Sequence, residues 1–511
     1  MIRAAVLLAI LLAAASVPAV GRAVEGAPVT ADPPAGRLEG RARNGVEAFV
    51  GIPYALPPVG ALRWRPPERP ARWRGVRPAI RFGADCPQMS LPGDKTTSGQ
   101  PRSEDCLTLN VWRPAGARGA PVMVWIHGGG FVMGSSASPV LDGAALAARG
   151  VVVVSFNYRL GRFGFFAHPA LTRAAGGGPA VNFALLDMIA ALRWVKNNIA
   201  AFGGDPRNVT IFGQSAGGAA VDFLLVSPPA RGLFAKAIVQ SGANREPYAQ
   251  LSRDRPGRIS AEAASVAFAK GAGLTDPDAR ALRNLTTAQV QGGLALFAMQ
   301  ADRFIGGPAI DGVTVLADPV KRFAAGAAPA LPFVVGSTGA ELSNLPFAPL
   351  LLSLVESQLT PASMVDLKSA YGTPLPARLV DDYWFGEAAR GYARMMAVRG
   401  TPTFRYRFDY VADADRAAKP AADHASEIAC LFGNLPAGAT AADRAVARLL
   451  GDYWTNFAKT GDPNGPALPP WPRAEPGDAL LVFGQTGTRA GRDLDPARLD
   501  AVERAQAARP R

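Results

Sequence analysis

Val209-Thr210-Ile211-Phe212-Gly213-Gln214-Ser215-Ala216-Gly217-Gly218-Ala219 passes from a strand pattern to a helix pattern through a single tight turn. Four β-prone apolar residues run into a Gly-x-Ser-x-Gly turn, and an apolar segment of helical character follows. A strand that turns sharply into a helix crowds its own backbone. Small residues at 213, 216 and 217 permit that crowding and leave Ser215 exposed at the apex. Serine is a weak nucleophile by itself and needs an adjacent base and fixed donors for the charge that develops on the substrate oxygen. Gly-x-Ser-x-Gly matches arise by chance in a chain with 55 glycines. The strand–turn–helix context is what makes Ser215 the candidate nucleophile.

Upstream, the apolar run Pro121-Val122-Met123-Val124-Trp125-Ile126 ends at His127-Gly128-Gly129-Gly130. Glycines at a strand end leave amide groups free to face a substrate oxygen. Gly129 and Gly130, with Ala216, are therefore the expected oxyanion donors; the alternative is a turn that needs glycine only for positive φ. Three histidines are present. His127 opens the glycine loop and His168 precedes Pro169, so His424, the one downstream of the serine, is the candidate base. Asp311, Glu341, Asp381 and Asp382 are all candidates for the acid that orients it. Glu341 follows a strand and a Gly-Ser-Thr-Gly turn, whereas Asp311-Gly312 reads as an ordinary turn.

Further short apolar runs are Val151-Val152-Val153-Val154-Ser155-Phe156, Ala237-Ile238-Val239 and Pro332-Phe333-Val334-Val335, with helical patterns between them, clearest over residues 183–199. Runs apolar on both faces suit strands covered by helices on each side. This predicts an α/β fold with a mainly parallel, doubly wound sheet. Residues 255–300 and 347–400 read as helical insertions that cap the site, and Phe297, Phe304, Trp384 and Phe385 are candidate pocket aromatics or ordinary core. No composition break marks a second domain, so residues 24–511 read as one catalytic unit.

Residues 1–23 have the pattern of a secretory signal: Arg3, an apolar run from Ala4 to Ala15, then small residues at Val17-Pro18-Ala19 and Gly21-Arg22-Ala23. The run is short for a membrane span and Pro18 interrupts it, so no stable membrane insertion is expected. Export implies a secreted or periplasmic protein. Cys86 and Cys106 bracket a polar loop and would then face an oxidising compartment; a bond between them would stabilise by roughly 3 kcal/mol on the chain-entropy model. Cys430 reads as buried and structural. The formal charge of +13 comes from dispersed arginines without a basic cluster or a nucleic-acid motif. It therefore argues for a basic surface rather than a nucleic-acid partner.

These segments resemble the type-B carboxylesterases of the α/β-hydrolase superfamily. The resemblance is carried by Phe202-Gly203-Gly204-Asp205-Pro206 continuing through Gly217, and by Glu104-Asp105-Cys106-Leu107-Thr108-Leu109-Asn110-Val111. Phe49-Val50-Gly51-Ile52-Pro53-Tyr54-Ala55, Leu62-Arg63-Trp64 and Asn157-Tyr158-Arg159-Leu160-Gly161 also match. The resemblance implies an α/β-hydrolase fold and a Ser215–Glu341–His424 triad, Glu341 standing five residues after Gly336 as in the family. It implies a supporting role for Ser241 in Gln240-Ser241-Gly242, and the Cys86–Cys106 disulfide. His424-Ala425-Ser426-Glu427 departs from the family's His-Gly-x-Glu at Ala425. The cholinesterase branch has a tryptophan between the first two cysteines and glutamate before the nucleophile. This chain has no tryptophan there and has Gln214 instead, which argues against cationic choline esters. The polar Asp94, Lys95, Thr96 and Thr97 argue against a lipase lid.

The expected activity is hydrolysis of small to medium, largely apolar carboxylic esters by water through an acyl-serine intermediate, with no cofactor and no metal. Alternatives are an amidase, lactonase or specialised detoxifying esterase with the same triad, and a non-catalytic binding protein.

Overall fold

The structure is a computed structural model that describes residues 21–89, 98–296, 298–299, 302–474, 478–493 and 495–509. Phe297, the Asp94–Thr97 stretch and most of the signal segment lie outside them. Among the described residues the strands are β1 (Ala27–Ala31), β2 (Arg37–Arg43), β3 (Val46–Pro53), β4 (Val76–Pro78), β5 (Thr108–Pro114), β6 (Ala120–Ile126), β7 (Val152–Phe156), β8 (Gly204–Gln214), β9 (Lys236–Gln240), β10 (Phe333–Thr338), β11 (Thr403–Phe408), β12 (Ala479–Gly484) and β13 (Gly487–Arg492). They form one sheet in the order β1-β2-β3-β5-β7-β6-β8-β9-β10-β11-β12-β13, with β4 beside β2. Pairings from β7 through β12 are parallel, and those at the outer ends are antiparallel apart from β2 with β4.

The parallel strands are apolar on both faces because both faces are covered. Val122, Val124 and Ile126 of β6 join one core with the helices Phe183–Asn198, Ala216–Val226 and Glu387–Ala397. Met123 and Trp125 face the opposite way, into a core shared with Phe212, Phe432, Trp454 and Phe457. This period-2 division holds the strand register, since a one-residue slip would exchange the two cores.

The segment expected as insertion 347–400 divides. Its last part, Glu387–Ala397, is a sheet-covering helix, with Ala388, Tyr392 and Met396 in the core. Glu387 and Arg390 sit inside the same helix, buried through ion pairs to Arg245 and to Asp500 and Glu503. The rest, with helices Ala348–Glu356 and Pro361–Tyr371, packs on the C-terminal helix Pro496–Ala507. The other insertion carries helices Ala261–Gly271, Ala279–Arg283 and Thr287–Gln291.

Several matched residues tie these parts together. Arg159 forms a bidentate pair with Asp187 at 2.8 and 2.7 Å, both side chains buried. Arg63 holds Glu104 at 2.7 and 2.5 Å, and Glu104 also accepts from Thr287. Cys86 and Cys106 are joined by a disulfide closing a 20-residue separation. Cys430 is free and buried, and burial raises its thiol to about 12. Among the described residues no helix is long and apolar enough to cross a membrane.

Candidate active site

Ser215, Glu341, His424 and the glycine loop all follow the carboxyl ends of parallel strands: β8, β10, β11 and β6. Sites in open parallel sheets form at these ends. Ser215 has φ 58° and ψ −126°. A positive φ is uncommon for a residue with a Cβ and persists only where the surroundings impose it. Here the Ser215 amide donates to the Gln240 carbonyl at 2.9 Å, and the helix Ala216–Val226 departs at once. A Cβ at Gly217 would stand 2.0 Å from the Ile126 carbonyl oxygen, and one at Gly213 would stand 2.5 Å from the Gly217 oxygen. Those approaches explain the glycines in the turn.

His424 Nδ1 lies 2.5 Å from Glu341 Oε2, and the backbone amide of His424 donates to the Glu341 carbonyl at 3.0 Å. Glu341 is buried and its other oxygen accepts from the Thr338 amide at 2.7 Å. Burial alone would raise this carboxyl, but His424, Ser241 and the Thr338 amide together hold it below the ordinary glutamate value. Burial would lower the imidazole, but Glu341 outweighs it and holds His424 above the ordinary histidine value. Ser241 has φ 45° and is buried beside this carboxylate; its hydroxyl is close enough to favour the charge but does not reach good hydrogen-bond geometry.

At His424 Nε2 the hydrogen-bond partner is Gln214 Nε2, at 3.1 Å, rather than the Ser215 hydroxyl. An amide NH₂ only donates, so Nε2 accepts and the proton on the ring sits on Nδ1, toward Glu341. No signal in the sequence marks this contact, since Gln214 stands out there only as a neutral residue before the serine. Ala425 takes φ 69°, the left-handed conformation a glycine adopts freely. Holding a residue with a Cβ in this conformation costs local strain. Phe385 packs on His424 with ring centroids 5.2 Å apart.

The other acids are engaged elsewhere. Asp311 accepts from Asn182 and from the amides of Val313, Thr314 and Val315. Asp382 accepts from Tyr371. Asp381 accepts from the amides of Leu342 and Ser343 at 2.7 and 2.9 Å. His168 caps the helix Pro169–Ala174 by accepting from the Ala170 amide. His127 stacks on Tyr158 at 4.3 Å and donates from Nδ1 to the Gly128 carbonyl. Burial lowers it to about 4, so it stays neutral and structural.

Gly129 and Gly130 have φ 104° and 61°. Among the described residues the amides of Gly129, Gly130 and Ala216 donate to no backbone acceptor. A Cβ at Gly128 would lie 3.1 Å from Ser215 Cβ, so the loop adjoins the serine. Leu296 and Met299 close over Gly130, within 2.4 and 2.9 Å of where its Cβ would be. The immediate walls are thus Leu296, Met299 and Phe385. Of the other aromatics, Phe304 is buried in the sheet core and Trp384 donates to Glu246 at 3.1 Å. A hydroxyl, a base oriented by a buried carboxylate, open amides and apolar walls together suit acyl transfer.

A sequence model of the carboxylesterase family matches residues 28–357 and 368–500. The chain is 37% identical over 497 residues to a fumonisin B1 esterase of Sphingopyxis macrogoltabida, covering 91% of this chain and 88% of that one. It is 36% identical over 475 residues to the para-nitrobenzyl esterase of Bacillus subtilis, covering 86% and 91%. Two solved structures of PNB esterase superpose with TM-scores of 0.75 and 0.80 at 33% and 32% identity, each covering 93% of this chain and 99% of its own.

Proposed function

Because this chain belongs to the carboxylesterase family, and is thus a serine hydrolase that splits carboxylic esters with water, we propose that Ser215, Glu341 and His424 are its triad and Gly129, Gly130 and Ala216 its oxyanion hole. The observation that carries this reading is the 2.5 Å contact between His424 Nδ1 and the buried Glu341 carboxylate. It leaves Nε2 unprotonated and able to accept the serine proton.

As substrate enters, the hydrogen bond at Nε2 passes from Gln214 to Ser215. The Ser215 Oγ attacks the ester carbonyl while His424 takes its proton. Glu341 stabilises the imidazolium that forms, and the open amides receive the oxyanion. His424 then protonates the leaving alcohol. Water, activated by the same nitrogen, releases the acid from acyl-Ser215. Leu296, Met299 and Phe385 support a preference for small to medium apolar acyl or alcohol groups.

Export supplies the setting, and the disulfide supports it. Residues 21–24 are hydrogen-bonded into the fold: Val24 donates to Ile80, Phe82 donates to Arg22, and the Arg22 side chain reaches Asp142. This favours cleavage of the leader after Ala19 over cleavage after Ala23.

The test is to trap the intermediate. A para-nitrophenyl phosphonate should inactivate the enzyme with a stoichiometric burst, and peptide mass spectrometry should place the adduct on Ser215. An adduct on another residue, with Ser215 unmodified, would refute the assignment.

A further inference from the structure

Asp381 stands next to the triad acid without touching the histidine. One of its oxygens, Oδ1, accepts from the amides of Leu342 and Ser343, the two residues directly after Glu341. The other, Oδ2, is buried and has no hydrogen-bond partner among the described residues. Asp381 itself is 5% exposed.

Beside it lies a cavity of about 40 Å³ bounded by Thr338, Arg378, Asp381, Arg405, Asp493 and Arg498. Polar atoms without hydrogen-bond partners line it: Thr338 Oγ1, Arg378 Nε, Arg405 Nη1 and Arg498 Nε can donate, while Asp381 Oδ2 and Asp493 Oδ2 accept. A wall that carries both donors and acceptors, with each of its arginines paired to a carboxylate, suits water, and this volume holds about three waters.

The charged groups around Asp381 come from every adjoining element. Arg378 and Asp382 lie on its own helical segment, Arg405 and Arg407 on β11, Asp493, Asp495 and Arg498 near the C-terminal helix, and Glu341 on the loop it holds. Each arginine already faces another carboxylate: Arg378 with Asp382, Arg405 with Asp493, Arg407 with Asp409 and Arg498 with Asp495. Asp381 forms no ion pair with them, so its charge rests on the amides of Leu342 and Ser343 and on the Ser343 side chain.

We propose that Asp381 is a positioning residue for the triad acid: Oδ1 pins the backbone after Glu341, and Oδ2 is hydrated by water held in the adjoining cavity. This rests on the reading of Glu341 as that acid. A small displacement of a catalytic group is expensive in rate, so the effect belongs in kcat more than in KM. Burial, with the Glu341 charge adding to it, raises the Asp381 carboxyl to about 6. The Asp381 charge also helps raise the His424 pKa.

The experiment compares kcat, KM and pH profiles of wild type, Asp381→Ala, Asp381→Asn and Glu341→Gln, each per folded molecule by circular dichroism. Asp381→Ala removes the acceptor and should lose about 10- to 100-fold in kcat with KM nearly constant. Asp381→Asn keeps an acceptor oxygen but not the charge. It should recover most of kcat and shift the acid limb of kcat/KM to lower pH. Positioning is overturned if Asp381→Ala keeps wild-type kcat, or if Asp381→Asn is as impaired as Asp381→Ala with an unmoved acid limb. If Glu341→Gln is fully active, it is the triad reading that fails. If Glu341→Gln is inactive while Asp381→Ala behaves as wild type, only the positioning role fails.

Discussion

At Ser215 the left-handed backbone, the neighbouring glycines and the Gln214 side chain act on the same few atoms. Gln214 occupies His424 Nε2, so attack in the proposed mechanism exchanges one hydrogen bond for another. The base must be neutral, and Glu341 holds the His424 pKa above its ordinary 6.5. Protonation on acidification therefore begins at a higher pH than in a free histidine. The acid limb of kcat/KM should have its midpoint above 6.5. Gln214→Glu places a second carboxylate at 214 and should move that limb further up. A pH–rate profile with a midpoint below 6.5 in the wild type contradicts the electrostatic account. At Gly129 an added Cβ would stand 2.3 Å from the Met133 carbonyl oxygen in a backbone of φ 104°. Gly129→Ala should displace a proposed oxyanion donor and reduce kcat about 10²- to 10³-fold, read by steady-state kinetics.

Among the elements, the strands apolar on both faces were legible because burial on two sides leaves no polar alternation to confuse the pattern. β1 to β5 and β11 to β13 were not: arginines interrupt the apolar pattern of β2, β4, β5, β11 and β13, and β1 and β4 are short and largely exposed. The helix Glu387–Ala397 was read as cap because its buried charges, Glu387 and Arg390, look like surface residues until their ion pairs are seen. The proposed triad and the glycine loop were legible as candidates since their residue types are constrained by chemistry and follow strand ends. The Gln214 contact and the Asp381 bridge were not, because each joins residues distant in sequence through side chains with no distinctive spacing. The π-helical turn Asp382–Gly386, which carries Phe385 to His424, likewise has no sequence signature. In the turn after His424, left-handed backbone at a residue with a Cβ costs about 1–2 kcal/mol. Ala425→Gly should relieve part of that and raise the thermal midpoint without loss of activity; a lower midpoint in a thermal-shift assay would show that Ala425 is not strained.

For the whole molecule, stability rests on long-range ties as well as the two cores. Breaking a buried ion pair leaves a charge uncompensated. Arg159→Ala, which strands Asp187, should therefore destabilise by about 3–5 kcal/mol in chemical denaturation. Removing the disulfide by Cys86→Ser with Cys106→Ser frees the 20-residue separation it closes and should cost about 3 kcal/mol. That loss should appear as earlier thermal inactivation with kcat retained.

The proposed mechanism places the chemistry on one serine. The most direct measurement is hydrolysis of a para-nitrophenyl ester series, acetate to palmitate, by wild type and Ser215→Ala. Wild type should be active, with its optimum among the shorter and medium chains. Ser215→Ala should lose about 10⁴-fold or more in kcat across the series. Full activity in Ser215→Ala would contradict the mechanism.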